Sequence, residues 1–324
     1  MPRKIEISHR TIIFVVLLLA GLWLLFQVID VIFVVFVAFI IMSALKPLVD
    51  RLQKLKIPRG LAILLVYLVI WGLIGGILTL IIRPLFDQTS HLIALLPAAL
   101  SRISLFSDNQ QIITDQLLNR VGTIPTGLVK FVVGIFGNLL SVFTTLVISF
   151  YMLLEHKNLD EVLGSVFGHE HQEKASKIIQ TIESRLGNWV RGEMILMFSI
   201  GIMTYVGLSI LGVEIALPLA IIAGLLEVIP NIGPVVSAVP AILVALTIHP
   251  LTAAFTALMY LLVQLLENNL LVPNVMRKAV GVNPLVSILG LLVGFKLAGA
   301  AGAVLAIPLV IVIETTYNLL AGER

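Results

Sequence analysis

Residues 225–240 read LLEVIPNIGPVVSAVP. Within fifteen positions an otherwise oily stretch holds Glu227, Pro230, Gly233, Pro234 and Pro240. A lipid-facing helix does not want this combination, because proline removes a ladder hydrogen bond and a buried charge is expensive in hydrocarbon. The same features argue against a buried strand. Unsatisfied peptide groups survive at membrane depth only where they are buried in protein or line a wet cavity. The stretch therefore marks a broken helix or hairpin inside a membrane protein.

The composition supports that solvent. The chain is 59% hydrophobic and 12% charged, with a mean hydropathy of +1.10. Soluble domains carry about 25% charged residues. The reading is an all-α, polytopic integral membrane protein, a single membrane domain over residues 1–324. It has about eight transmembrane units, including two broken or re-entrant hairpins.

The absence of cysteine removes disulfides, thiolate nucleophiles and thiolate metal sites. The net charge of +3 is read as basic cytoplasmic loops rather than a nucleic-acid surface. The first apolar run ends in Gln27 and Asp30, not in a small-residue cleavage site, so no signal peptide is expected.

Moving along the chain, residues 11–45 are too long for one span of about 20 residues. They read as two spans with a tight turn at Asp30. Basic residues flank both sides (Arg3, Lys4 and Arg10 before, Lys46 to Arg59 after), which puts both ends and the N-terminus in the cytoplasm. A span follows at 60–82, with Gly72 and Gly76 offering a small-residue face. Residues 83–126 read as an extracytoplasmic amphipathic segment, 127–154 as a returning span, and 155–192 as a cytoplasmic helical segment. Residues 194–211 cross again.

The pieces 213–229 and 235–248 are short and leave and return to the same face, around the 230–234 break. After a full span at 251–271, residues 284–295 and 303–320 flank a second break at 296–302. That element enters from the opposite face and leaves the C-terminus cytoplasmic.

Intramembrane ionisable residues face the protein interior and usually do something. Glu227, Glu267 and Lys296 are the deepest. Lys296 is expected to pair with Glu227 or Glu267; alternatively one carboxylate binds a proton or Na⁺. The site is expected where the two breaks meet. Pro230, Gly233 and Pro234 shape the cavity and Asn231 hydrogen-bonds solute. Glu267, Asn268 and Asn269 form a polar triplet. Gly290, Gly294, Gly299 and Gly302 allow close helix packing.

Hydrolytic chemistry finds no footing. His169-Glu-His-Gln-Glu173 lacks the second histidine of HExxH, and neither a Walker A sequence nor Gly-x-Ser-Gly occurs. The chain reads as a non-enzyme without cofactor or metal.

At this point the residues resemble a family. Glu227-Val-Ile-Pro230-Asn-Ile-Gly233-Pro234 is similar to the E-x-I-P-x-I-G-P signature of the AI-2E (autoinducer-2 exporter) family of bacterial membrane proteins. Glu267-Asn-Asn-Leu-Leu-Val-Pro273 resembles its E-x-N-x-L-x-P stretch, and Val280-Gly-Val-Asn-Pro284 its V-x-[LV]-[NHS]-P. Gly299-Ala-Ala-Gly302-Ala-Val-Leu-Ala-Ile-Pro308 resembles its G-x-x-G-x-x-x-A-x-P.

The resemblance implies a transporter of the bacterial inner membrane. Some members are linked to export of a small polar quorum-sensing solute, others to Na⁺(Li⁺)/H⁺ antiport. Oligomeric assembly, with a pentamer as one form, and elevator-like movement are also associated with the family. Three readings stay open: a solute exporter working by alternating access, a Na⁺(Li⁺)/H⁺ antiporter, and a non-transporting membrane scaffold. The expected partners are the solute or ions, lipids and further copies of the chain, with no nucleic acid.

Overall fold

The structure is a computed structural model that describes residues 9–77, 79–80, 139–159, 164–165, 168–230, 232–279, 281 and 283–322. The segment 83–126, read above as extracytoplasmic, lies outside the described residues. Every regular element among the described residues is helical. Five helices are long and apolar enough to cross a membrane, and three apolar helices are shorter.

Helix α1 (His9–Lys54) is continuous over 46 residues. The expected turn at Asp30 does not form, which corrects the division of residues 11–45 into two spans. The reason is local. Gln27-Val-Ile-Asp30 contains neither glycine nor proline, and an outward-facing aspartate leaves the helical ladder intact. At about 1.5 Å per residue the helix is about 69 Å long. Its basic flanks therefore stand at opposite ends of one rod, and the argument that placed both on one side of the membrane fails.

The chain turns at Lys56, which has a left-handed φ of 65°. Helix α2 (Arg59–Ile77) then begins just after Pro58. A Cβ on Gly72 or Gly76 would meet nothing within 4 Å, so no described helix packs on that small-residue face. Helix α3 (Leu139–Glu155) runs into a short 3₁₀ turn, His156–Asn158.

Helix α4 (His169–Ile210) is unbroken over 42 residues. The expected cytoplasmic segment and the span after it are thus one rod, since no proline interrupts residues 169–210. Helices α5 (Ala216–Leu226) and α6 (Ile232–Ile248) form a hairpin whose tip includes residues 227–230. The 11 residues of α5 reach about 17 Å, well short of a hydrocarbon core of about 30 Å. This hairpin enters and turns back. Helix α7 (Pro250–Leu266) is capped by the His249 ring, which accepts from the Leu251 N–H at 3.1 Å. It passes through a π turn (Glu267–Leu271) into α8 (Val272–Ala279).

The last element, α9 (Pro284–Ala321), bends at Ala298 and Gly299, whose backbone is not helical. Gly299 has φ 59° and ψ −140°, a conformation open to glycine because it has no Cβ. The two legs fold back on each other. A Cβ on Gly294 would collide with the Gly302 backbone, and one on Gly302 with Gly294. Gly290 faces Val310 and Ala306 across the same seam. The first leg, residues 284–297, is about 21 Å long and does not cross fully.

Three larger apolar cores among the described residues organise these rods. Met42, Val49, Ile63, Leu146 and Leu153 join α1, α2 and α3. Ile200, Leu208, Leu219, Ala241 and Val263 join α4 to α7. Ile40, Leu186, Trp189, Leu305 and Ile311 join α1, α4 and α9. Helix α4 contributes to two of them. Residues 10–32 of α1 take no part in any core, and their described apolar side chains are largely exposed.

Ion pairs fix the level at which α4 meets its neighbours. Lys46 Nζ of α1 and His156 Nε2 of the 3₁₀ turn both reach the Glu183 carboxylate at 2.7 Å. Arg185 reaches Glu314 at 3.2 Å and donates to Thr315 at 2.7 Å. The side chain of Glu183 is only 7% exposed, so Glu183→Ala would strand a half-buried lysine. We expect that variant to lose about 2 kcal/mol, between the values for exposed and buried pairs, read as earlier thermal unfolding in detergent. Unaltered unfolding would show the contact to be dispensable.

Candidate functional site: a buried carboxylate trio

Three glutamates from three elements converge in the interior. Glu227 stands at the tip of the α5–α6 hairpin, Glu267 opens the π turn, and Glu193 projects from α4. They are 1%, 1% and 3% exposed.

Local sequence places each one. At the hairpin tip, Glu227 still closes the α5 helix by donating its N–H to Ala223 O at 3.2 Å. The chain then turns, and Gly233 N–H donates to Ile229 O at 2.9 Å. A Cβ on Gly233 would collide with the Leu226 carbonyl, so glycine lets α6 start directly against the end of α5. Pro234 sits in the first turn of α6, where its missing N–H has no partner to lose. Its carbonyl accepts from Ser237 Oγ at 3.0 Å. Pro230 is half-buried in the turn itself. Asn231 lies outside the described residues.

Pro273 shapes the second position, because it cannot donate to the ladder one turn back. The helix widens to π geometry just before it. Asn269 Nδ2 donates to Leu265 O and Asn274 Nδ2 to Leu270 O, both at 2.8 Å, so amide side chains supply donors along the widened stretch. Glu267 is turned inward while Asn268 and Asn269 are exposed. Of the polar triplet, only the carboxylate reaches the interior.

The carboxyl groups of Glu227 and Glu267 stand within hydrogen-bonding reach of each other. Each leaves its Oε2 without a partner. Glu193 lies close enough to both for their charges to interact, and neither of its oxygens has a partner. Trp189 Nε1 and Thr204 Oγ1 are also buried and unpartnered, and at about 3.6 residues per turn they share the Glu193 face of α4. Across the bundle the Tyr260 hydroxyl lies beside Ser237. Among the described residues no set of three His, Asp or Glu side chains closes into a metal cage. A buried carboxylate without a counter-charge is strongly disfavoured, and none of the three takes part in a described ion pair.

Lys296 corrects one expectation. It is exposed on the first leg of α9 and forms none of the described ion pairs, so it does not neutralise Glu227 or Glu267. Helix α9 packs chiefly on α4 rather than on the α5–α6 hairpin. The carboxylates gather where the first break meets α4 and the π turn. Of the four glycines, Gly290, Gly294 and Gly302 line contacts inside the α9 hairpin and Gly299 makes its bend.

Glu193 was the member missed in the sequence, although a signal for it exists. Ile182, Leu186, Trp189 and Glu193 continue one stripe at helical spacing, and the first three form core. A residue that extends a buried stripe is itself buried, whatever its charge.

Long apolar helices and two turned-back hairpins define a polytopic α-helical membrane protein. The profile described as AI-2E family transporter matches residues 12–322. The chain belongs to the AI-2E family of transporters. It is 26% identical over 291 residues to YrrI and 29% identical over 293 residues to YueF, both of Bacillus subtilis strain 168. These alignments cover 85% and 84% of this chain, and 82% and 79% of the relatives. It is also 26% identical over 297 residues to the AI-2 transport protein TqsA of Escherichia coli K12, covering 88% of this chain and 84% of TqsA.

Proposed function

We propose that this chain is a secondary transporter of the bacterial inner membrane. In this reading it exports a small polar solute of the autoinducer-2 kind by alternating access. The observation that carries the reading is the trio of buried carboxylates at the tip of a turned-back hairpin. Such a centre stores positive charge reversibly and can link its movement to that of a solute beside it. The similarity to the AI-2 transport protein TqsA supports the choice of solute. Pro230, Asn231, Gly233 and Pro234 shape the neighbouring solute site in this reading.

A second reading, Na⁺(Li⁺)/H⁺ antiport, draws on the same trio. Glu227, Glu267 and Glu193 would exchange protons for an alkali cation with no organic solute involved.

Purified protein in liposomes separates the two. The first reading expects counterflow of labelled autoinducer-2. The second expects collapse of an imposed pH gradient when sodium is added alone. In either assay Glu227→Gln should bring flux down to that of empty liposomes while the protein stays folded. Undiminished flux in that variant removes the carboxylate from the mechanism, and neither activity in the parent protein leaves the scaffold reading.

A further inference from the structure

Two lone charges stand on the apolar outside of the chain. Asp30 on α1 and Lys296 on α9 are both exposed, and neither takes part in a described ion pair. Val31 and Ile32 beside Asp30 are exposed, as are Phe295 and Leu297 beside Lys296. Gln27 is also exposed, one turn before Asp30 on the same face of α1. A charge that faces hydrocarbon is disfavoured unless something pairs with it.

Their heights match. Lys46 of α1 and Glu314 of α9 are tied to Glu183 and Arg185, which lie within one turn of α4. These contacts set one charged layer shared by α1, α4 and α9. From Lys46, Asp30 lies about 24 Å further along α1. From Thr315, the α9 bend lies about 24 Å along its second leg, and Lys296 comes just after the bend on the way back. An acid and a base thus stand at nearly the same distance from one layer, each set in exposed apolar surface and each without a partner among the described residues.

We propose that Asp30 of one chain pairs with Lys296 of a second copy. The two apolar faces form the interface and the ion pair sets its register. Gln27 adds an amide that can hydrogen-bond the same ammonium group. Each copy offers one acid and one base on different elements, so the contact is head-to-tail and repeats from copy to copy. A lone lysine facing lipid or a watery crevice would not call for an acid at the same height.

The chain has no cysteine, so introduced thiols report without background. Two differently tagged full-length chains, Asp30→Cys and Lys296→Cys, are co-expressed and oxidised in the native membrane. The expected product is a disulfide-linked species of two chains that carries both tags. Ile13→Cys with Lys296→Cys should give none, because Ile13 lies about 25 Å further along α1. Separately, Asp30→Lys and Lys296→Asp should each lose the multi-chain species in mild detergent, and the two changes combined in one chain should restore it.

The proposal fails if the mixed-tag product is absent, or if the Ile13 control links as strongly. It also fails if thiols at 30 and 296 link only within one chain. Single reversals that leave assembly unchanged, or a double reversal that does not restore it, overturn it as well. None of these readouts depends on the transported species.

Discussion

Glu193→Met is expected to yield protein that unfolds at a higher temperature than the parent and moves nothing across a liposome membrane. Both oxygens of this carboxylate are buried without a partner, in the company of two further acids. An orphaned buried polar group costs about 1–3 kcal/mol, and methionine of similar length returns most of the apolar packing without it. The stability gain should be of that order. In the proposed reading the trio would at the same time lose the member supplied by α4, and flux with it. A stabilising change that removes activity is the signature of a strained functional position. Thermal unfolding and flux are measured on the same preparation. Lower stability with intact flux would mark Glu193 as a structural residue and reduce the site to Glu227 and Glu267.

The second large effect concerns the α9 hairpin. Gly302→Val should cost about 3 kcal/mol or more, because the obstacle to its side chain is the Gly294 backbone rather than a flexible side chain. Gly299→Ala should cost less, about 1–3 kcal/mol, through backbone strain at a positive φ. The ordering is the test. Protease accessibility of residues 284–321 in membranes should rise strongly for Gly302→Val and weakly for Gly299→Ala. A Gly302→Val protein as resistant as the parent would mean that the two legs do not touch in the membrane.

Composition and apolar run length were enough to read a membrane protein, and the clustered prolines and glycines were enough to read two turned-back elements. Glu227 and Glu267 were legible because a carboxylate inside an apolar run has few innocent explanations. The misreadings share a cause. At Asp30 a polar residue was taken for a turn, although no glycine or proline was there to make one. Glu193 went unread because it falls between the soluble-looking block and the span that follows it, and local composition was weighed above helical face. Asn268 and Asn269 were grouped with Glu267 by adjacency, but side-chain direction in a π turn departs from the ordinary helical period. Lys296 was given a partner by charge alone, and sequence does not state which hairpin faces which.

The length of α4 has a mechanical meaning. A helix without a hinge behaves as a stiff lever arm, so what happens at one end is imposed on the other. Arg185, anchored to α9, and Glu193, within the acidic centre, are about 12 Å apart on that arm. The stretch of α4 that Arg185 anchors to α9 thus runs unbroken to the carboxylates.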